Sequence, residues 1–152
     1  MSLHGDHCIS GGADASIRIY DLRTGEMIKG MTDHAKSVKS IVHHPTLDAF
    51  FTGSMDQLHM WQLSTFESFY VVDAYNKGHL NAMAIDDTQL VTAMGDGTLQ
   101  FMDLDTMQLT HTIQSLPQPD ALDGSCIYDC LFYNGTLLTA DMDKTIKVYS
   151  TL

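Results

Sequence analysis

The sequence predicts an all-β chain of repeated four-stranded sheets, of the β-propeller type, and three observations carry that prediction. An aspartate recurs in one local context at Asp14, Asp56, Asp96 and Asp143, at intervals of 42, 40 and 47 positions. These intervals bracket the roughly 40 to 45 residues of a propeller blade and exceed ankyrin or leucine-rich units. Each aspartate sits in a turn between two alternating runs rich in Val, Ile, Thr and aromatic residues, which is the pattern of a hairpin. No window of a dozen residues keeps apolar positions at i, i+3, i+4 and i+7 between helix caps.

The elements follow in order. The first repeat core, residues 10–22, contains SGGADASIRIYD, with 7–11 as the first recognisable strand. The second core, 52–63, contains TGSMDQLHMWQ; the third, 92–104, contains TAMGDGTLQFMD; the fourth, 139–150, contains TADMDKTIKVYS. Further alternating runs at 38–42, 69–72, 81–85, 109–113 and 127–132 fill the gaps and bring each complete repeat to four strands. The chain is read as one domain, 1–152, of about three and a half blades. A seven-bladed ring at about 42 residues per blade needs roughly 300 residues. The expectation is therefore a partial propeller, a fragment or shortened gene product, whose open sheet edges need the remaining blades or self-association to cover them.

Composition narrows the partners. Eight Lys and Arg stand against 19 Asp and Glu, a formal net charge of −11. That charge repels phosphate backbones and anionic membrane surfaces over a Debye length of roughly 8 to 10 Å. Neither broad nucleic-acid binding nor a membrane partner is expected. The opening MSLHGDHCIS has no basic segment followed by an apolar one, and no later run approaches the ~18 apolar residues of a membrane span. Cys8, Cys126 and Cys130 are an odd set, read as small, buried, reduced side chains. His43 and His44 are adjacent, so on a strand they point to opposite faces, and no Cys or acidic residue lies at ligand spacing. No metal and no cofactor are expected.

The repeats resemble WD40 repeats, and the second is the best specimen: Asp33-His34, then Thr52, Asp56 and Trp61 in order. The resemblance implies a buried hydrogen-bond chain running from Trp61 through Thr52 and His34 to the turn aspartate, with Asp14, Asp96 and Asp143 at the matching turn positions. Such a chain compensates a buried carboxylate and fixes the blade register. It also gives a structural reading to His34, Thr52 and Asp56, which otherwise look like a nucleophile, base and orienter, so no catalytic residue and no enzyme activity are assigned. Tyr20, Met102 and Tyr149 replace the tryptophan in the other repeats.

A closer resemblance is to the pleiotropic regulator 1 family, WD40 proteins of the spliceosome associated with the Prp19 complex. TDHAKSVKSIVHHPTLDAFFTGSMDQLHMWQ, QPDALDGSCIYDCLF and LLTADMDKTIKVYS look like its C-terminal half, as does the five-step spacing from Asp56 to Trp61, where Asp14 to Tyr20 takes six. The resemblance implies a non-catalytic scaffold for pre-mRNA splicing, nuclear, with other proteins of a large assembly as partners. The alternative is a WD40 adaptor outside splicing, such as a ubiquitin-ligase substrate receptor or a cytoplasmic signalling scaffold. On either reading, side chains beside the turns present the binding surface: Ala13, Met55, Gly95 and Met142, with Lys36 at the entrance of an inner strand. The turn-rich connection 114–125 is the other candidate, because Pro117 and Pro119 restrict its backbone beside Asp120 and lower the entropy cost of docking.

Overall fold

A computed structural model describes residues 1–73, 79–115 and 126–150, with the side chain of residue 73 outside the description. The chain divides into two compact units, Met1–Tyr75 and Asn76–Leu152. All regular structure among the described residues is strand, fifteen in number, in four antiparallel sheets.

In the first unit, β1 (Ser2–His4), β2 (His7–Gly11), β3 (Ile17–Asp21) and β4 (Met27–Met31) form one sheet in chain order. A second sheet follows from β5 (Val38–His43), β6 (Ala49–Ser54), β7 (Gln57–Gln62) and β8 (Glu67–Asp73). The second unit holds β9 (Leu80–Ile85), β10 (Gln89–Met94), β11 (Thr98–Asp103) and β12 (Gln108–Gln114) as a third sheet. Its fourth sheet comprises β13 (Ile127–Tyr133), β14 (Thr136–Asp141) and β15 (Ile146–Ser150). Every repeat core therefore lies on the second and third strands of a sheet, joined by the aspartate turn.

One element is fuller than the sequence reading. The first sheet does not begin at residue 7, because β1 pairs with β2 in the register Leu3↔Cys8 through a turn in which Gly5 has φ 54°. A three-residue strand is too short for alternation to declare itself, and a glycine in the left-handed region is what closes so tight a turn.

Alternation decides what is buried. In the first unit Ile9, Ile17 and Ile19 turn from the first sheet onto Val38, Ile41, Phe50 and Trp61 of the second, with Met31, Leu63 and Phe66 completing the cluster. Each such fully buried large side chain stabilises by about 1.5–3 kcal/mol. The two sheets approach so closely at Gly11 that a Cβ there would lie 2.5 Å from Val38 Cγ1, which only glycine avoids. In the second unit Ala82, Ala84, Val91, Ala93, Leu99 and Phe101 pack on Ile127, Cys130 and Leu137. Small residues on β9 and β10 let those two sheets close together.

The aspartate turns come in two lengths. The last paired residues are Gly11↔Ile17, Ala93↔Leu99 and Ala140↔Ile146 in the first, third and fourth sheets, enclosing five residues each. In the second sheet the pair is Gly53↔Leu58, enclosing four. In each five-residue turn the residue after the aspartate is left-handed: Ala15 at φ 63°, Gly97 at 82° and Lys144 at 65°. The second sheet has no such residue in its turn, and the missing step accounts for the five-position spacing from Asp56 to Trp61.

Candidate functional site

The second sheet carries the tightest polar arrangement. Trp61 on β7 donates its Nε1–H to Thr52 Oγ1 on β6 at 2.7 Å, and His34 Nε2 lies 2.7 Å from the same oxygen. The hydroxyl, with one proton and two lone pairs, accepts from Trp61 and still has a group for a neutral His34 in either tautomer. All three are buried: Thr52 is 0%, Trp61 1% and His34 4% exposed. The rings of Phe50 and His59 stack on Trp61 at centroid distances of 5.9 and 5.5 Å, and the His59 ring lies 4.2 Å from that of His34. Burial, with His59 beside it, pushes the His34 imidazole down to about 4, against the weaker pull of Asp56 and Asp33.

The chain stops at His34, which corrects the expected fourth link. His34 Nδ1 is buried without a hydrogen-bond partner. Asp56 instead accepts from the Ser54 hydroxyl at 2.9 Å and pairs with Lys36 Nζ at 3.3 Å. Burial works against its charge, but the hydrogen bonds from Ser54 and Lys36 hold the Asp56 carboxyl below its ordinary range. The shortened turn is also closed differently from the others. Without the left-handed residue, the Ser54 hydroxyl accepts from Gln57 N–H at 3.0 Å and closes the turn itself, and the aspartate faces Lys36.

The other aspartates are turn closers. Asp14 accepts from the Ser16 hydroxyl and N–H at 2.6 and 3.2 Å and from Arg18 at 2.6 Å. These donors, the Ser16 hydroxyl first, hold its carboxyl far below the usual range. Asp96 accepts from Thr98 N–H at 3.0 Å. Asp143 accepts from Thr145 N–H at 3.1 Å and from its hydroxyl at 2.5 Å. In the third sheet the hydroxyl matching Thr52, Thr92 Oγ1, is buried with no hydrogen-bond partner, and Met102 on β11 brings no ring N–H. Its histidine, His79, packs against Gly95, where an added Cβ would meet the ring at 2.6 Å. His79 escaped the sequence reading although Gly78-His79 precedes β9.

The fourth sheet holds a second network that sequence reasoning missed. Tyr149 OH lies 3.2 Å from Ser115 Oγ, which donates to Asp141 Oδ2 at 2.5 Å. Thr139 donates to Asp141 Oδ1 at 2.7 Å. Lys147 Nζ reaches Asp141 Oδ2 at 2.6 Å, Ser115 Oγ at 3.0 Å and Asp143 Oδ2 at 3.1 Å. Burial alone would lower the Lys147 ammonium, but its bonds to Asp141 and Asp143 raise it. Thr139 and Tyr149 occupy the strand positions of Thr52 and Trp61, but the wiring differs: Thr139 and Ser115 both donate to Asp141, and Tyr149 bonds Ser115 rather than the threonine. The available signal was Asp141, two positions before the turn aspartate, where the second sheet has Ser54.

The reactive-looking groups of both networks are engaged within the sheets. The Thr52 hydroxyl is enclosed by its two partners, and the Asp141 carboxylate, 8% exposed, is neutralised by Lys147. What remains accessible beside the turns is Lys36, whose side chain is 55% exposed, with exposed Ala13 and half-buried Met55, Gly95 and Met142. Pro117, Pro119 and Asp120 lie outside the described residues. Among the described residues no group of three His, Cys, Asp or Glu side chains is placed to hold a metal ion. The three cysteines are free thiols, and burial, helped by Asp129, pushes Cys130 up to about 12.

Comparison with known proteins places this geometry. No protein-family model matches the chain. Pleiotropic regulator 1 of Mus musculus is 35% identical over 115 residues, covering 73% of this chain and 22% of the relative. Pre-mRNA-processing factor 19 of Mus musculus is 25% identical over 146 residues, covering 93% of this chain and 28% of the relative. The chain thus spans about a quarter of the length of these curated relatives. The crystal structure of the computationally designed Ika8 protein superposes with a TM-score of 0.79 at 20% identity, covering 98% of this chain and 44% of that one. The strand order within each sheet, the Trp61–Thr52–His34 chain and these relatives together identify the protein as a WD40-repeat chain with the fold of a partial β-propeller, resembling the pleiotropic regulator 1 proteins.

Proposed function

We propose that this protein is a non-catalytic protein-interaction scaffold of pre-mRNA splicing, working in the nucleus within a large protein assembly. The observation that carries the reading is the 35% identity to a pleiotropic regulator 1 over 115 residues, supported by the resemblance to a pre-mRNA-processing factor over 93% of the chain. The physical side is consistent with it. The polar groups that look reactive are used up inside the sheets, so recognition falls to side chains at the turns. Lys36, Met55 and Met142 are proposed as contact residues, together with Pro117, Pro119 and Asp120 of the long connection.

Partner recognition here uses apolar and paired-charge contacts, since a net charge of −11 disfavours a phosphate backbone as the ligand. The test is sedimentation of splicing reactions assembled on a pre-mRNA in nuclear extract. The tagged protein is expected in the fast-sedimenting complexes and to leave them when the pre-mRNA is omitted. A protein that stays at the top of the gradient under both conditions overturns the splicing assignment.

A further inference from the structure

We propose that β8 is a docking edge for an extended peptide segment of a partner protein, apolar at its centre and flanked by Lys or Arg, added as a fifth strand of the second sheet. In the order β5-β6-β7-β8, β8 pairs on one side only among the described residues. Half of the backbone groups of such a strand therefore point outward, a template for another strand.

The outer strands of the other complete sheets provide the contrast. All three carry a bulge at the same place, between Ile19 and Tyr20, Met60 and Trp61, or Phe101 and Met102 of the neighbouring strand. Beyond the bulge β4 continues as Lys29-Gly30-Met31, a charge and a glycine. The Lys29 ammonium is held by Phe66 O at 2.9 Å. β12 continues as His111-Thr112-Ile113-Gln114, mostly polar. β8 continues as Tyr70-Val71-Val72-Asp73, with high strand propensity and no interior charge. Phe69, Tyr70 and Val71 are 58, 39 and 48% exposed. Beyond the shared bulge, β4 adds an interior charge and a glycine and β12 polar side chains, whereas β8 adds neither between Tyr70 and Val72.

Charge selects the occupant. Glu67 and Asp73 bound the strand, and two copies paired antiparallel over β8 would set Glu67 of each opposite Asp73 of the other, between chains of net charge −11. A foreign strand with basic flanks meets the exposed Glu67, on a chain of net charge −11, favourably and takes its register from the backbone ladder.

The proposal adds a surface to the scaffold reading and rests on it only for the partner being a protein. Failure of the peptide selection below, with intact sedimentation in splicing complexes, removes the docking edge alone. The probe is a phage-displayed library of random twelve-residue peptides selected on the full chain, counter-selected on Val71→Lys, with Tyr70→Lys as a second variant. Circular dichroism and the urea midpoint confirm that both fold. The expected result is enrichment of alternating Val, Ile, Thr and aromatic residues flanked by Lys or Arg. Their amide shift changes should centre on β8, and binding should weaken at least tenfold on both variants. No enrichment, peptides that bind the variants equally, or a dimer abolished by Val71→Lys would each overturn the proposal, the last in favour of a second copy.

Discussion

Thr52 holds two buried rings with one oxygen, so its removal leaves two orphaned partners. Thr52→Val keeps the shape and deletes the hydroxyl, leaving the Trp61 N–H and the His34 ring unsatisfied. It is expected to cost about 1–3 kcal/mol in urea unfolding. Asp56→Asn removes the charge from a partly exposed pair with Lys36 and leaves an amide oxygen to accept from Ser54, and about 1 kcal/mol or less is expected. Equal losses in the two variants would mean that the aspartate belongs to the buried chain after all. The pH dependence has a definite sign. Burial depresses the folded His34 imidazole to about 4 from the ordinary 6.5. Above 6.5 both folded and unfolded forms are neutral and its contribution is intact. As pH falls from 6.5 towards 4 the unfolded chain takes the proton first, and stability declines by up to about 1.4 kcal/mol per pH unit. Unfolding curves between pH 7.5 and 4.5, with His34→Gln as the comparison, measure it; a slope unchanged by the substitution contradicts the assignment.

The aspartate turns divide by length, and the division was half visible beforehand. The five-step spacing from Asp56 to Trp61 can be counted in the sequence, but its effect on Asp56 cannot. That its carboxylate takes the Ser54 hydroxyl and Lys36 depends on groups brought beside it in space, which counting positions does not show. The fourth sheet was opaque for a related reason. Its network runs through Ser115, which stands outside the aligned cores in a stretch that reads as a loop, and through Asp141, an aligned position at which the other repeats have no carboxylate. The third sheet keeps Thr92 but has Met102 where the ring donor would be, so its hydroxyl is stranded. The turns make their own prediction. Ala15 and Lys144 are non-glycine residues at φ 63° and 65°, and Ala15→Gly or Lys144→Gly is expected to raise stability by several tenths to about 1 kcal/mol. Gly97→Ala at φ 82° should lower it by about 1–2 kcal/mol. Thermal midpoints that move oppositely would refute the turn assignment.

The recurring aspartates, alternating runs and missing helical period were enough to read four sheets, because strand alternation and turn chemistry are local. β1 was too short to register, and residues 116–125 of the long connection lie outside the described residues. The acidic surface has a consequence of its own. At a net charge of −11 the protein should not be retained on heparin at 0.15 M salt, and retention would indicate a concentrated basic face that its composition does not suggest. The account stands on a division of labour in which buried networks hold the sheets and turn-side residues hold partners. Affinity purification with quantitative mass spectrometry, comparing the native protein with Thr52→Val and with the double variant Lys36→Glu/Met55→Glu, tests that division. Splicing proteins should accompany the native protein and folded Thr52→Val alike and be lost from the double variant. Loss from folded Thr52→Val with the double variant unaffected, or a partner set of ubiquitin-ligase or cytoskeletal proteins, would contradict it.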